Sequence, residues 1–199
     1  MARKSQPSDS HRISPRTGRD ERVRDLMKIF GLAGWSGSGK TTLVMGLLPE
    51  IISRGYSVST VKHAHHNFDI DQPGKDSYEH RRAGATEVMV GSANRWALMH
   101  ETRGGPQPDL EAMVARMSPV DLLLVEGFKR DGHAKIEVHR PATGKDLLCD
   151  DDPKIVAIAS DGPLPQVRLP VLDLNDVPAI TDFILAHVGL EQGVSHGAA

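Results

Sequence analysis

A chain of 199 residues suits one domain with a sizeable core, and 39% hydrophobic with 25% charged residues is ordinary for a soluble globular protein. The net charge of -2 gives no general reason to expect nucleic-acid binding, and no apolar run is long enough to cross a bilayer. Cys149 stands alone, which excludes an internal disulfide, and with no signal-peptide apolar core a reducing cytoplasm is the expected location.

Residues 1–25 hold seven Lys or Arg against four Asp or Glu, are rich in Ser and Pro, and have too little apolar surface to offset the entropy of ordering them. The expected organisation is a disordered basic tail over 1–27, a folded domain over 28–190 and a flexible end over 191–199. A strand at 28–33 feeds the run GWSGSGKTT. Gly34, four residues, then Gly39, Lys40 and Thr41 satisfy G-x-x-x-x-G-K-[ST], with the strand before it and the helical pattern after it that the motif needs. Glycines let backbone N–H groups turn inward toward phosphate oxygens where a Cβ would collide. Gly34, Trp35, Ser36, Gly37, Ser38, Gly39, Lys40, Thr41 and Thr42 are therefore candidate nucleotide-binding residues. Lys40 is expected to neutralise the β- and γ-phosphates and the Thr41 hydroxyl to ligate Mg²⁺, at the positive end of the next helix.

That helix is expected over 40–54, with Leu43, Leu47 and Ile51 four apart on one face and Gly55 ending it. A strand at 57–61 follows, then a polar segment, KHAHHNFDIDQPGKDS, longer than a simple connection and so expected to be functional. Asp76 and Glu79 suit the start of a short helix through Ala83. Two strands, 87–90 and 95–99, flank the turn signal GSAN as a hairpin. A helix is expected at 110–117. VDLLLVEG at 120–127 reads as a central parallel strand covered on both faces. Alternating 134–139, then 155–159 and 170–172, complete the strands, and 177–188 forms the last helix. The pattern predicts an α/β fold: a mostly parallel sheet with helices on both faces, in three layers around a phosphate loop, plus a small antiparallel hairpin.

Ligands of such sheets sit at the carboxyl ends of the strands. Asp121 and Glu126 lie about 16 Å apart on opposite faces of the central strand, so only Glu126 can reach the phosphates, to hold Mg²⁺ through water or orient an attacking water. Lys62, His63, His65 and His66 leave the sheet at the same end and suit phosphate or another anion. The histidines also permit a metal site. Asp69, Asp71 and Asp76 suit a switch that responds to the γ-phosphate and metal, and Asp71 opens a D-x-x-G run ending at Gly74, a pattern too common to decide anything alone. Asp161, after a late strand, can accept hydrogen bonds from a guanine edge, and it equally suits the turn before Gly162 and Pro163.

GWSGSGKTTL, TVKHAHHNFDIDQPGKDSYEHRRAGA and VDLLLVEGFK together resemble the MobB family, P-loop GTP-binding proteins of molybdopterin guanine dinucleotide biosynthesis. The second motif is the more specific, and the likeness runs over about 28–190. The resemblance implies the P-loop NTPase fold and a homodimer that binds GTP and Mg²⁺ with weak GTPase activity. It further implies action beside a MobA-type guanylyltransferase that joins GMP to molybdopterin, with molybdopterin a candidate further ligand. In that setting residues 34–42 carry the phosphates, Thr41 and Glu126 the Mg²⁺, and 62–77 the switch or cofactor-facing loop, while no nucleic acid or membrane is expected. The alternatives are a small-molecule kinase of the same fold, a metallochaperone using the His run, and a nucleotide-stabilised adaptor without useful turnover.

Overall fold

The computed structural model describes residues 27–64, 68–128 and 131–190. The tail expected at 1–27, apart from Met27, the end at 191–199, and His65 and His66 lie outside the described residues. Six strands form one parallel sheet: β1 (Lys28–Ala33), β2 (Val58–Lys62), β5 (Leu122–Glu126), β6 (Lys135–His139), β7 (Ile155–Ser160) and β8 (Val171–Asp173). Their order is β2-β5-β1-β6-β7-β8. A separate antiparallel hairpin pairs β3 (Glu87–Gly91) with β4 (Trp96–His100). It belongs, with the helices α2 (Asp76–Arg82) and α3 (Leu110–Val114), to the long connection between β2 and β5.

The first helix, α1 (Lys40–Ser53), buries Leu43, Leu47 and Ile51 as its spacing dictates. It packs beside α4 (Val177–His187), whose Ile180, Ile184 and Leu185 join them over Phe30 and Leu32 of β1 and Leu122 and Leu124 of β5. Each such fully buried side chain contributes about 1.5–3 kcal/mol. The opposite face of β5 sends Leu123 and Val125 against Leu110 of α3, with Met113 and Met117 at the margin. Both faces of β5 are thus covered, which is why its sequence is apolar without alternation. Met113 and Met117 pack here although regular helix ends at Val114, because the next residues tighten into turns (Arg116 N to Met113 O, 3.0 Å; Met117 N to Val114 O, 3.0 Å).

Alternation in β6 would ordinarily leave Lys135, Glu137 and His139 on a wet face. All three are buried instead. Lys135 Nζ donates to Asp131 O (2.8 Å) and Asp152 Oδ2 (3.1 Å), and Glu137 accepts the backbone N–H groups of Leu148 (2.9 Å) and Cys149 (3.0 Å). The segment after β6 therefore folds back over the sheet and, with Asp131 from the approach to β6, satisfies Lys135 and Glu137.

Candidate functional site

β1 ends at the phosphate loop. At Gly34 (φ +146°) an added Cβ would lie 2.5 Å from Val138 O and 2.7 Å from Ser38 Oγ, so the turn admits no side chain. Gly39, at φ +102°, leads into α1, and no side chain caps that helix. Its first N–H groups are thereby kept for a ligand or water. Lys40 Nζ arches back over the loop to Gly34 O (2.9 Å) and Trp35 O (2.8 Å). Two braces hold the loop from outside. Trp35 Nε1 donates to Asp146 O (2.7 Å), and Arg140 Nε donates to Ser38 O (3.1 Å) while the same guanidinium pairs with Asp161.

A cavity of about 780 Å³ opens over this loop. Gly34, Trp35, Ser36, Gly37, Gly39, Lys40, Thr41, Thr42, Lys62, His63 and Glu126 all line it. Lys62 and Glu126 are register partners at the carboxyl ends of β2 and β5. Thr41 Oγ1 donates to Glu126 Oε1 (3.0 Å), and Lys62 Nζ lies 3.2 Å from that hydroxyl and 3.3 Å from that carboxylate oxygen. A hydroxyl and a carboxylate converging beside a phosphate loop form a hard-oxygen donor set that fits Mg²⁺. His63 continues the ladder through its N–H to Glu126 O (2.8 Å), accepts the Gln107 amide at Nε2 (2.6 Å), and tilts its ring against Phe128. At the far end of β5, Asp121 pins Ser57 through its N–H (2.7 Å) and hydroxyl (2.6 Å) and serves the fold.

Ser38, Asp71 and Asp161 are not in the cavity wall. The Ser38 side chain is buried, and its carbonyl takes the Arg140 bond. Asp71 accepts the Ser77 hydroxyl (2.8 Å) in a loop that Arg81 ties together, donating to Asp69 (2.7 Å) and Glu101 (3.2 Å). The Asp71 N–H, and next the Arg81 guanidinium, hold the Asp69 carboxyl below the usual range. Asp161 stands at the carboxyl end of β7, held by Arg140. Arg140 itself was not among the sequence candidates. Its signal was its place, directly after β6, by the same strand-end rule that singled out Glu126 and Lys62.

Among the described residues no group of three or more His, Cys, Asp or Glu could hold a metal ion. A second cavity, about 610 Å³, lies over β6 and β7 and includes His139, Lys145, Cys149 and Arg168. Burial first, then the carboxylates of Glu137 and Asp150, push the Cys149 thiol up to about 11, so it stays protonated and unreactive at neutral pH. No helix among the described residues is long and apolar enough to cross a membrane.

Comparison with known proteins bears on this geometry. The family model described as molybdopterin guanine dinucleotide synthesis protein B matches residues 29–161. The molybdopterin-guanine dinucleotide biosynthesis adapter protein of Escherichia coli is 42% identical over 175 residues, 85% of this chain and 98% of the relative. The protein of the same description from Haemophilus influenzae is 42% identical over 162 residues, 81% of this chain and 90% of the relative. A crystal structure of molybdopterin-guanine biosynthesis protein B superposes with a TM-score of 0.63 at 26% identity, covering 80% of this chain and 99% of that one. The MobB structure from Bacillus subtilis, at 24% identity, shares the fold, with a TM-score of 0.62 over 81% of this chain and 98% of that one. A phosphate loop with hydroxyl and carboxylate beside it, on this parallel sheet and in a chain so similar over so much of its length, leads to one assignment: the chain belongs to the MobB family.

Proposed function

We propose that the chain is a GTP-binding accessory protein with weak GTPase activity in molybdenum cofactor biosynthesis. In this reading it assists a MobA-type guanylyltransferase in attaching GMP to molybdopterin, which is itself a candidate ligand. The observation that carries the proposal is the one cavity that gathers the loop residues from Gly34 to Thr42 other than Ser38, Lys40 among them, with the Thr41–Glu126 pair. The adapter role comes from the 42% identical relatives described above.

The loop N–H groups and the amino end of α1 bind the phosphates, and Lys40 exchanges its two loop carbonyls for phosphate oxygens. Thr41 and Glu126 would hold Mg²⁺, which when bound neutralises charge on the phosphates. Glu126 also stands where it can orient a water toward the terminal phosphate. Asp161, braced by Arg140 beside the phosphate loop, is the residue we propose to accept hydrogen bonds from the guanine edge. The exposed apolar residues Met89 and Trp96, which share one face of the β3–β4 hairpin, support a homodimer through that surface.

Calorimetric titration of GTP and ATP with Mg²⁺, with and without the guanylyltransferase, tests the reading. GTP is expected to bind more tightly than ATP, and Lys40→Ala is expected to weaken GTP binding by about a hundredfold or more with the fold intact. Unchanged affinity in Lys40→Ala discards the phosphate-loop role, and fast partner-independent turnover of ATP points to a kinase instead.

A further inference from the structure

The position of Lys62 carries a consequence beyond its place in the cavity wall. Its Nζ lies within 3.3 Å of both Thr41 Oγ1 and Glu126 Oε1, the two atoms that would hold the metal. A Mg²⁺ ion sits about 2.1 Å from its oxygen ligands, so an ammonium at this point and an ion bound to the same oxygens exclude each other. The contact is built into the sheet, because Lys62 and Glu126 are register partners on adjacent parallel strands. The Glu126 side chain is 14% exposed, and a carboxylate so buried is costly without a counter-charge. The Lys62 side chain is 58% exposed and can swing out without breaking a core contact.

We propose that Lys62 gates the metal position: its ammonium serves as the resident cation between Thr41 and Glu126 while no nucleotide is bound, and a divalent ion enters only with a triphosphate. A bare ion would have to displace Lys62 and then face its charge at short range. An ion arriving with a triphosphate brings phosphate oxygens that receive the displaced ammonium, so the exchange conserves ion pairing. Lys62 is thus a positioning residue that sets the order of addition. This inference rests on the nucleotide and Mg²⁺ reading of the site.

The test uses Mn²⁺ as a paramagnetic probe, titrated into the full chain without nucleotide and followed by electron paramagnetic resonance. Lys62→Met, which removes the charge and keeps the stem, is expected to bind Mn²⁺ at least about tenfold more tightly than wild type. Lys62→Gln should behave alike, Lys62→Arg should stay at the wild-type value, and adding Glu126→Gln to Lys62→Met should remove the gain. Equal Mn²⁺ affinity in wild type, Lys62→Met and Lys62→Gln overturns the gate. Because no nucleotide is present, a chain that fails to bind GTP would refute the functional reading while leaving this result readable.

Discussion

At the scale of single residues, the tightest constraint outside the cavity is the meeting of Gly31 with His133. An added Cβ on Gly31 would lie 2.5 Å from His133 Nε2, so β1 carries a glycine where the imidazole crosses it. Both ring nitrogens of His133 are buried without a hydrogen-bond partner. Burial first, and then the charge of Lys135, hold its pKa below the ordinary 6.5. The sign follows from linkage: below pH 6.5 the unfolded chain takes up a proton that the folded chain resists, so this group contributes stability above that pH that is lost on acidification. Urea denaturation at pH 7 and pH 5 should find wild type less stable at the lower pH, and His133→Leu should flatten that fall. An identical pH dependence in the two proteins would remove His133 from the account.

Among the elements, the described stretch 68–75 that leads into α2 is held by charge more than by apolar packing. Phe68 and Ile70 are exposed, while Arg81 of α2 gathers Asp69 and Glu101, and Ser77 donates to Asp71. Since Asp69 is held below its ordinary 3.8, this ordering is present above that pH and is lost as pH falls through the folded value. Arg81→Ala is expected to raise amide exchange at Asp71, whose N–H bonds Asp69, by about tenfold at pH 7. Unchanged protection would mean that backbone geometry alone orders the loop. Elements whose order comes from periodicity were legible in the sequence: α1 from its four-residue spacing and β5 from its unbroken apolar run. The buried polar row of β6 was not, because its partners come from irregular segments on both sides of the strand, Asp131 before it and Leu148, Cys149 and Asp152 after it, that leave no periodic trace. The candidate site divides in the same way. The phosphate loop is local in sequence, and Glu126 and Lys62 follow from the strand-end rule. Arg140 becomes meaningful only once β6 is known to lie beside β1, and strand order is not written in the local pattern.

On the scale of the whole molecule, the hairpin is a separate sheet whose one face presents Met89 and Trp96 to solvent, with the latter 56% exposed. A two-stranded ribbon with an apolar face is marginal in water unless something covers it. With a second copy as the cover, Trp96→Glu is expected to shift the protein from dimer to monomer in sedimentation analysis. A wild-type protein that sediments as a monomer, or a dimer that survives the substitution, would count against this surface.

The strand order also separates what must stay still from what must move. β1, which carries the phosphate loop, lies between β5 and β6, so its backbone ladder is protected on both sides. β2, which carries Lys62, is an edge strand that, among the described residues, pairs with β5 alone. Edge strands open at a lower free-energy cost than central ones. The cradle is therefore anchored in the stiffest part of the molecule and the residue that guards it in one of the softest. Local breathing at β2 can exchange an ammonium for an ion while the geometry that grips the phosphates stays fixed.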